Sequence, residues 1–153
     1  MHIAKWALYA LAMAAACTPS AAHDHATGVV KERMEAMTSM AKRQKAIAQH
    51  IKDKRGLATI KADAEAIASL ASHIPHLFPV GSTQPPTQAR GTIWQNVSDF
   101  ESKARALETA SRALAATSPG DSGALGLAAA AVTRECSGCH EKYRVRINKE
   151  RQP

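Results

Sequence analysis

Cys136, Cys139 and His140 stand in the run Cys136-Ser137-Gly138-Cys139-His140, the clearest chemistry in the chain. A C-x-x-C-H run attaches a c-type haem: each thiol adds to one vinyl group, and the adjacent histidine supplies a nitrogen to the iron. On a helix, residues three apart lie one above the other on one face. Both thiols can therefore reach one edge of the porphyrin, while His140 turns under the ring. A zinc half-site would need two further ligands, and the one other cysteine, Cys17, stands in a segment expected to be removed. A thioredoxin-type dithiol belongs in a βαβ setting, of which there is no sign here.

The chain of 153 residues is long enough for one compact domain, and its alanine-rich composition, with two Phe, two Tyr and two Trp, favours helices. Residues 1–22 read as a signal peptide: Lys5 gives a positive start, Trp6 to Ala16 a short apolar run, and Ser20-Ala21-Ala22 a small-x-small cleavage site. Residues 23–153 then form the mature domain, with no stable membrane insertion. Export to the periplasm and the haem motif support each other, because haem is joined to C-x-x-C-H outside the cytoplasm. A lipidated Cys17 is a weaker alternative. The net charge of +7 fits either a solvated surface or steering towards an acidic redox partner or membrane surface. A nucleic-acid partner is disfavoured, since no aromatics interleave the basic residues.

Four helical stretches must position the haem motif. The first spans Val30 to about Lys54, with Met37, Met40, Gln44, Ile47 and Ile51 along one face. Gly56 breaks it, and the second runs from Leu57 to Ile74, ended by Pro75. Residues 75–91, rich in proline and glycine, form a long connection expected to wrap the outside or cover one end of the domain. A third helix is expected from a Thr92 N-cap, with Ile93, Val97, Phe100, Ala104, Leu107 and Leu114 facing inward. A fourth is expected over Ser122 to Asn148, its stripe running through Leu125, Val132, Cys136, Cys139, Tyr143 and Ile147. The fold class is all-α, an antiparallel four-helix bundle with haem c attached near the C-terminus.

The iron's second axial position decides function. Met37 is a candidate distal ligand, although spacing alone does not choose it over Met40, and methionines are also flexible core fillers. His50, His73 and His76 fall on less suitable faces. A peroxidase is disfavoured because no distal His and Arg pair is evident.

The motifs resemble those of the class II c-type cytochromes, that is, cytochrome c′ and its low-spin relatives. The similarity rests on Val30-Lys31-Glu32-Arg33-Met34-Glu35-Ala36-Met37, Ile74-Pro75-His76-Leu77-Phe78-Pro79, Ile93-Trp94 and Cys139-His140-Glu141-Lys142-Tyr143-Arg144, together with the late position of the haem motif. The resemblance implies that Cys136 and Cys139 form the thioethers to one haem c and that His140 is the proximal iron ligand. It also implies that Arg33 lies by a haem propionate, that Arg144 is a basic residue near the proximal side, and that Met37 stands where low-spin members place the axial methionine. The resulting expectation is not an enzyme but a periplasmic electron-transfer protein with His/Met ligation, served by redox partner proteins. The alternative is a five-coordinate cytochrome c′ that binds nitric oxide or carbon monoxide. Homodimerisation through the first two helices is a further implication.

Overall fold

The computed structural model describes residues 26–146. They form four α-helices, α1 (Gly28–Asp53), α2 (Leu57–His73), α3 (Val97–Ala116) and α4 (Ser122–Tyr143), with no strand among the described residues. The leader expected over residues 1–22 lies outside them, as do Ile147 and Asn148.

The first reversal depends on Gly56. Its φ of +66° is left-handed, which favours glycine, and a Cβ built there would stand 2.6 Å from His50 Nδ1, so a larger residue would have to displace the His50 ring. At the start of α4 the Asp121 carboxylate accepts a 2.8 Å hydrogen bond from the Ala124 amide, a cap of about 1 kcal/mol.

The stripes read from the sequence meet in one core. Ile47 of α1, Ile60 and Ile67 of α2, Leu114 of α3, and Leu125 and Val132 of α4 are essentially inaccessible to solvent. Each such side chain contributes about 1.5–3 kcal/mol of burial. Ala64 and Ala71 are fully buried, and such small side chains let α2 lie close against its neighbours. Adjacent helices in the order α1, α2, α3, α4 pack along one another, whereas α1 and α4 meet more sparsely.

The connection after α2 covers one end of the bundle. Ile74–Leu77 forms a 3₁₀ turn around Pro75, and Gly91–Ile93 forms another. Between them, Gln88 to Arg90 runs antiparallel to the end of α4: the Arg90 amide donates to Tyr143 O at 2.9 Å and the Val145 amide to Gln88 O at 2.8 Å.

Two expected boundaries are corrected. The third helix does not start at a Thr92 cap. The Trp94 indole donates to Phe78 O at 3.0 Å and holds the chain in a turn, so α3 starts after Asn96 and leaves Val97 47% exposed. The fourth helix does not run on towards Asn148; Arg144 takes extended geometry because the ladder with Gln88 to Arg90 satisfies its backbone neighbours outside the helix.

Candidate cofactor site

A cavity of about 500 Å³ opens between α1 and α4, where the two helices meet sparsely. From α1 come Arg33, Met34, Met37, Thr38, Met40, Ala41 and Gln44; from α4 come Thr133, Cys136, Ser137, Cys139, His140 and Tyr143, followed by Arg144 just past its end. Ile74, Phe78, Ile93, Phe100 and Leu107 form the apolar depth, and Pro86 to Ala89 close one end. At the other end the Gln44 amide donates to Thr133 Oγ1 at 2.9 Å, tying α1 to α4. Arg33 and Met37 thus line one cavity with Cys136, Cys139 and His140, although 99 positions separate Met37 from Cys136. His50, His73 and His76 do not line it.

Helical spacing sets the α4 wall. Cys136 and Cys139, three apart and half-buried, stand on the cavity side with Tyr143, and His140 is exposed at the rim. Burial pushes the Cys136 thiol above its ordinary range and Cys139 up to about 11, so both are neutral thiols at neutral pH. Partial burial, and secondarily the Arg144 charge, lowers the His140 pKa and favours the neutral ring, which has a lone pair to donate. The Arg144 amide donates to His140 O at 3.0 Å, and the Arg144 Nε to Gln88 Oε1 at 2.8 Å.

On the α1 wall, Met40 is buried, whereas Met34 and Met37 are half-buried. Arg33 is only 4% exposed and is the main polar junction of the site. Its Nε donates to Leu77 O at 2.9 Å, and its Nη1 to Ser82 O at 3.2 Å and Thr87 Oγ1 at 2.7 Å. Its Nη2 donates to Ser82 Oγ. One of the five guanidinium N–H groups is left over, and no described carboxylate pairs with the charge. The guanidinium also lies 4.0 Å from the centre of the Phe78 ring. Phe78 meets Phe100 edge-on at 4.9 Å, and Phe100 meets Tyr143 at 5.3 Å, so aromatic contacts cross the cavity floor from α1 to α4. The Tyr143 hydroxyl donates to Asp99 Oδ2, which also accepts from Lys142 Nζ at 3.0 Å.

Sequence reasoning missed the Arg33 acceptors Ser82 and Thr87 and the carboxylate Asp99. No periodicity marks the first two, because they lie in a segment of prolines and glycines. Asp99 reads simply as a favourable acid in the first turn of α3.

The residues present fit a haem. An apolar slot of this size between helices suits a flat macrocycle, and two thiols spaced three apart on one helix suit its vinyl groups. A buried guanidinium without a carboxylate partner suits the anionic edge that haem carries. Fold and site together define a four-helix haem-binding bundle with its attachment motif on the last helix.

The comparisons with known proteins identify the family. The model of the family described as Cytochrome C′ matches residues 28–144, and the chain belongs to that family. It is accordingly a haem c protein with one covalently attached haem. It is similar to a cytochrome c′ of Pararhodospirillum photometricum, 33% identical over 118 residues that make up 75% of this chain and 94% of the relative. A cytochrome c-556 of Agrobacterium fabrum is 32% identical over 124 residues, 80% of this chain and 84% of the relative. Among solved structures, the nitric oxide complex of a point variant of cytochrome c′ from Alcaligenes xylosoxidans superposes with a TM-score of 0.69 at 29% identity. That likeness covers 77% of this chain and 94% of the neighbour.

Proposed function

We propose that this protein binds a small neutral diatomic ligand, nitric oxide or carbon monoxide, at a haem iron whose α1 side remains accessible. The observation that carries this reading is the chemistry of the α1 wall. It presents no imidazole, thiol or carboxylate to the iron, so that the thioethers of Met34, Met37 and Met40 are the one kind of iron-ligating group there, beside Thr38, Ala41, Gln44 and an already engaged arginine. The nitric oxide complex of the Alcaligenes neighbour supports it.

Cys136 and Cys139 would hold the haem covalently through their two sulfurs, each joined to what was a vinyl group. His140, next to Cys139, would give a ring nitrogen to the iron. Arg33 uses its remaining N–H and its unpaired charge to hold a propionate, while Met37 crowds the space beside the iron. The haem would supply a redox-active iron able to bind a small diatomic ligand. Binding and one-electron exchange, not enzymatic turnover, are the proposed activities, in the periplasm after removal of residues 1–22.

A second reading is favoured by Met37 lying one turn after Arg33 on the same cavity wall, and by the likeness to cytochrome c-556. In it, the Met37 thioether binds the iron, the site is closed, and the protein passes single electrons between protein partners. Mixing the reduced protein with nitric oxide in a stopped-flow spectrometer separates the two. Rapid spectral conversion is the expected result, and a reduced spectrum unmoved by nitric oxide would transfer the assignment to the electron carrier.

A further inference from the structure

The connection between α2 and α3 touches both helices that flank the cavity. On the α1 side, all four Arg33 hydrogen bonds go to residues 77–87, and Ser82 Oγ in turn donates to Pro79 O at 2.8 Å. Arg33 stands one helical turn before Met37. Thr87 Oγ1 also accepts the Ala89 amide at 3.2 Å, which links this anchor to the next three residues. Those residues hold α4: backbone bonds join Arg90 to Tyr143 and Val145 to Gln88, the Arg90 Nε donates to Arg144 O at 3.1 Å, and Arg144 bonds Gln88. The Arg144 amide then donates to His140 O. A continuous series of hydrogen bonds therefore runs from the turn before Met37, around the end of the cavity, to the turn that contains His140.

We propose that residues 77–90 act as a strap, fastened at Arg33, that sets the spacing between the Met37 helix and the His140 helix and so governs how readily a diatomic ligand reaches the iron. The inference rests on the reading that His140 binds the haem iron and Met37 borders its α1 side. The direct α1 to α4 contact is sparse, and apart from the Gln44 bond to Thr133 at the far end, the strap is the hydrogen-bonded link between these helices beside the cavity. A guanidinium suits this task because its rigid fork holds several acceptors in one fixed arrangement, which a lysine ammonium on a flexible stem does not. Arg33, Ser82 and Arg90 are positioning residues here. Ser82 and Arg90 do not line the cavity, so an effect of either on ligand binding must travel through the strap.

The experiment uses the haem-loaded double variant S82A/R90A as the deciding cut, with I60V as a control for ordinary core destabilisation and R33K, which also borders the haem, as a supporting cut at the other end. Carbon monoxide association with the reduced protein is followed by flash photolysis, and the spin state of the oxidised protein by absorption. The strap predicts at least a fivefold faster association and a changed spin-state ratio in S82A/R90A and in R33K, with I60V like wild type. If wild type binds carbon monoxide and S82A/R90A matches I60V, the strap is overturned while the gas-binding reading stands. If wild type does not bind carbon monoxide, the gas-binding reading falls and the strap is read from the double variant: newly acquired binding supports it, and continued absence overturns it.

Discussion

Replacing Arg33 with leucine tests the organisation of the site most severely. The substitution removes a 4% exposed guanidinium and all four of its hydrogen bonds. Ser82 Oγ keeps its bond to Pro79 O, and Thr87 Oγ1 keeps the Ala89 amide, so the two hydroxyls retain partners. The carbonyls of Leu77 and Ser82 lose the arginine, at about 1–3 kcal/mol for each acceptor left buried without a donor. Loss of the contact with Phe78 adds about 1 kcal/mol. Burying leucine and sparing the desolvation of a cation return about 1–3 kcal/mol. These contributions leave a net loss of about 0–6 kcal/mol, centred near 3 kcal/mol. It is read from urea unfolding of the haem-loaded protein, followed by circular dichroism and by haem absorption, with coincident transitions securing a two-state analysis. No loss, or a gain in stability, would refute the claim that Arg33 fastens the 77–90 connection.

Three further outcomes follow from particular residues. Met37→Ala should tighten carbon monoxide binding by about 5- to 150-fold, the equivalent of relieving about 1–3 kcal/mol of crowding, in a titration of the reduced protein; unchanged affinity would remove Met37 from the ligand's path. Asp99 is held below the usual carboxylate range, first by the Tyr143 hydroxyl and then by Lys142. A depressed carboxyl contributes stability above its unfolded value near 3.9 and loses it as pH falls through the folded value. The stability difference between wild type and Asp99→Asn should therefore be full at pH 7 and shrink below about pH 4, and a difference constant with pH would contradict the pairing. Gly56→Ala should cost about 1–3 kcal/mol in thermal unfolding, because it combines a left-handed φ with a Cβ 2.6 Å from the His50 ring; a neutral effect would show that the turn shifts freely.

The helices and the haem motif were legible in the sequence because their signals are local. The periods of three and four mark the buried faces through Ile47, Ile67, Leu107 and Val132, and the spacing of Cys136, Cys139 and His140 states its own chemistry. The likeness of the first helix to class II cytochromes placed Arg33 and Met37 on the same site, and the structure brings them to the cavity opposite that motif. What was not legible depends on tertiary partners. Whether α4 continues past Tyr143 is decided by Gln88 and Arg90, more than fifty residues away, which offer the backbone an alternative ladder. The start of α3 is similarly decided by the Trp94 bond to Phe78 O. The expectation of His/Met electron transfer rested on the position of Met37, and the likeness to cytochrome c′ favours the gas-binding alternative instead. A methionine beside an iron has the same sequence pattern whether its sulfur binds or merely crowds, so that choice belongs to distances and ligand exchange.

The most direct test of the account is the absorption spectrum of the purified mature protein, oxidised and reduced, with and without carbon monoxide. An iron with an open sixth position gives a high-spin spectrum that shifts on addition of carbon monoxide to the reduced form, and this is the expected result. A low-spin spectrum with a methionine-to-iron charge-transfer band and no response to carbon monoxide would contradict it and make Met37 the sixth ligand of an electron carrier.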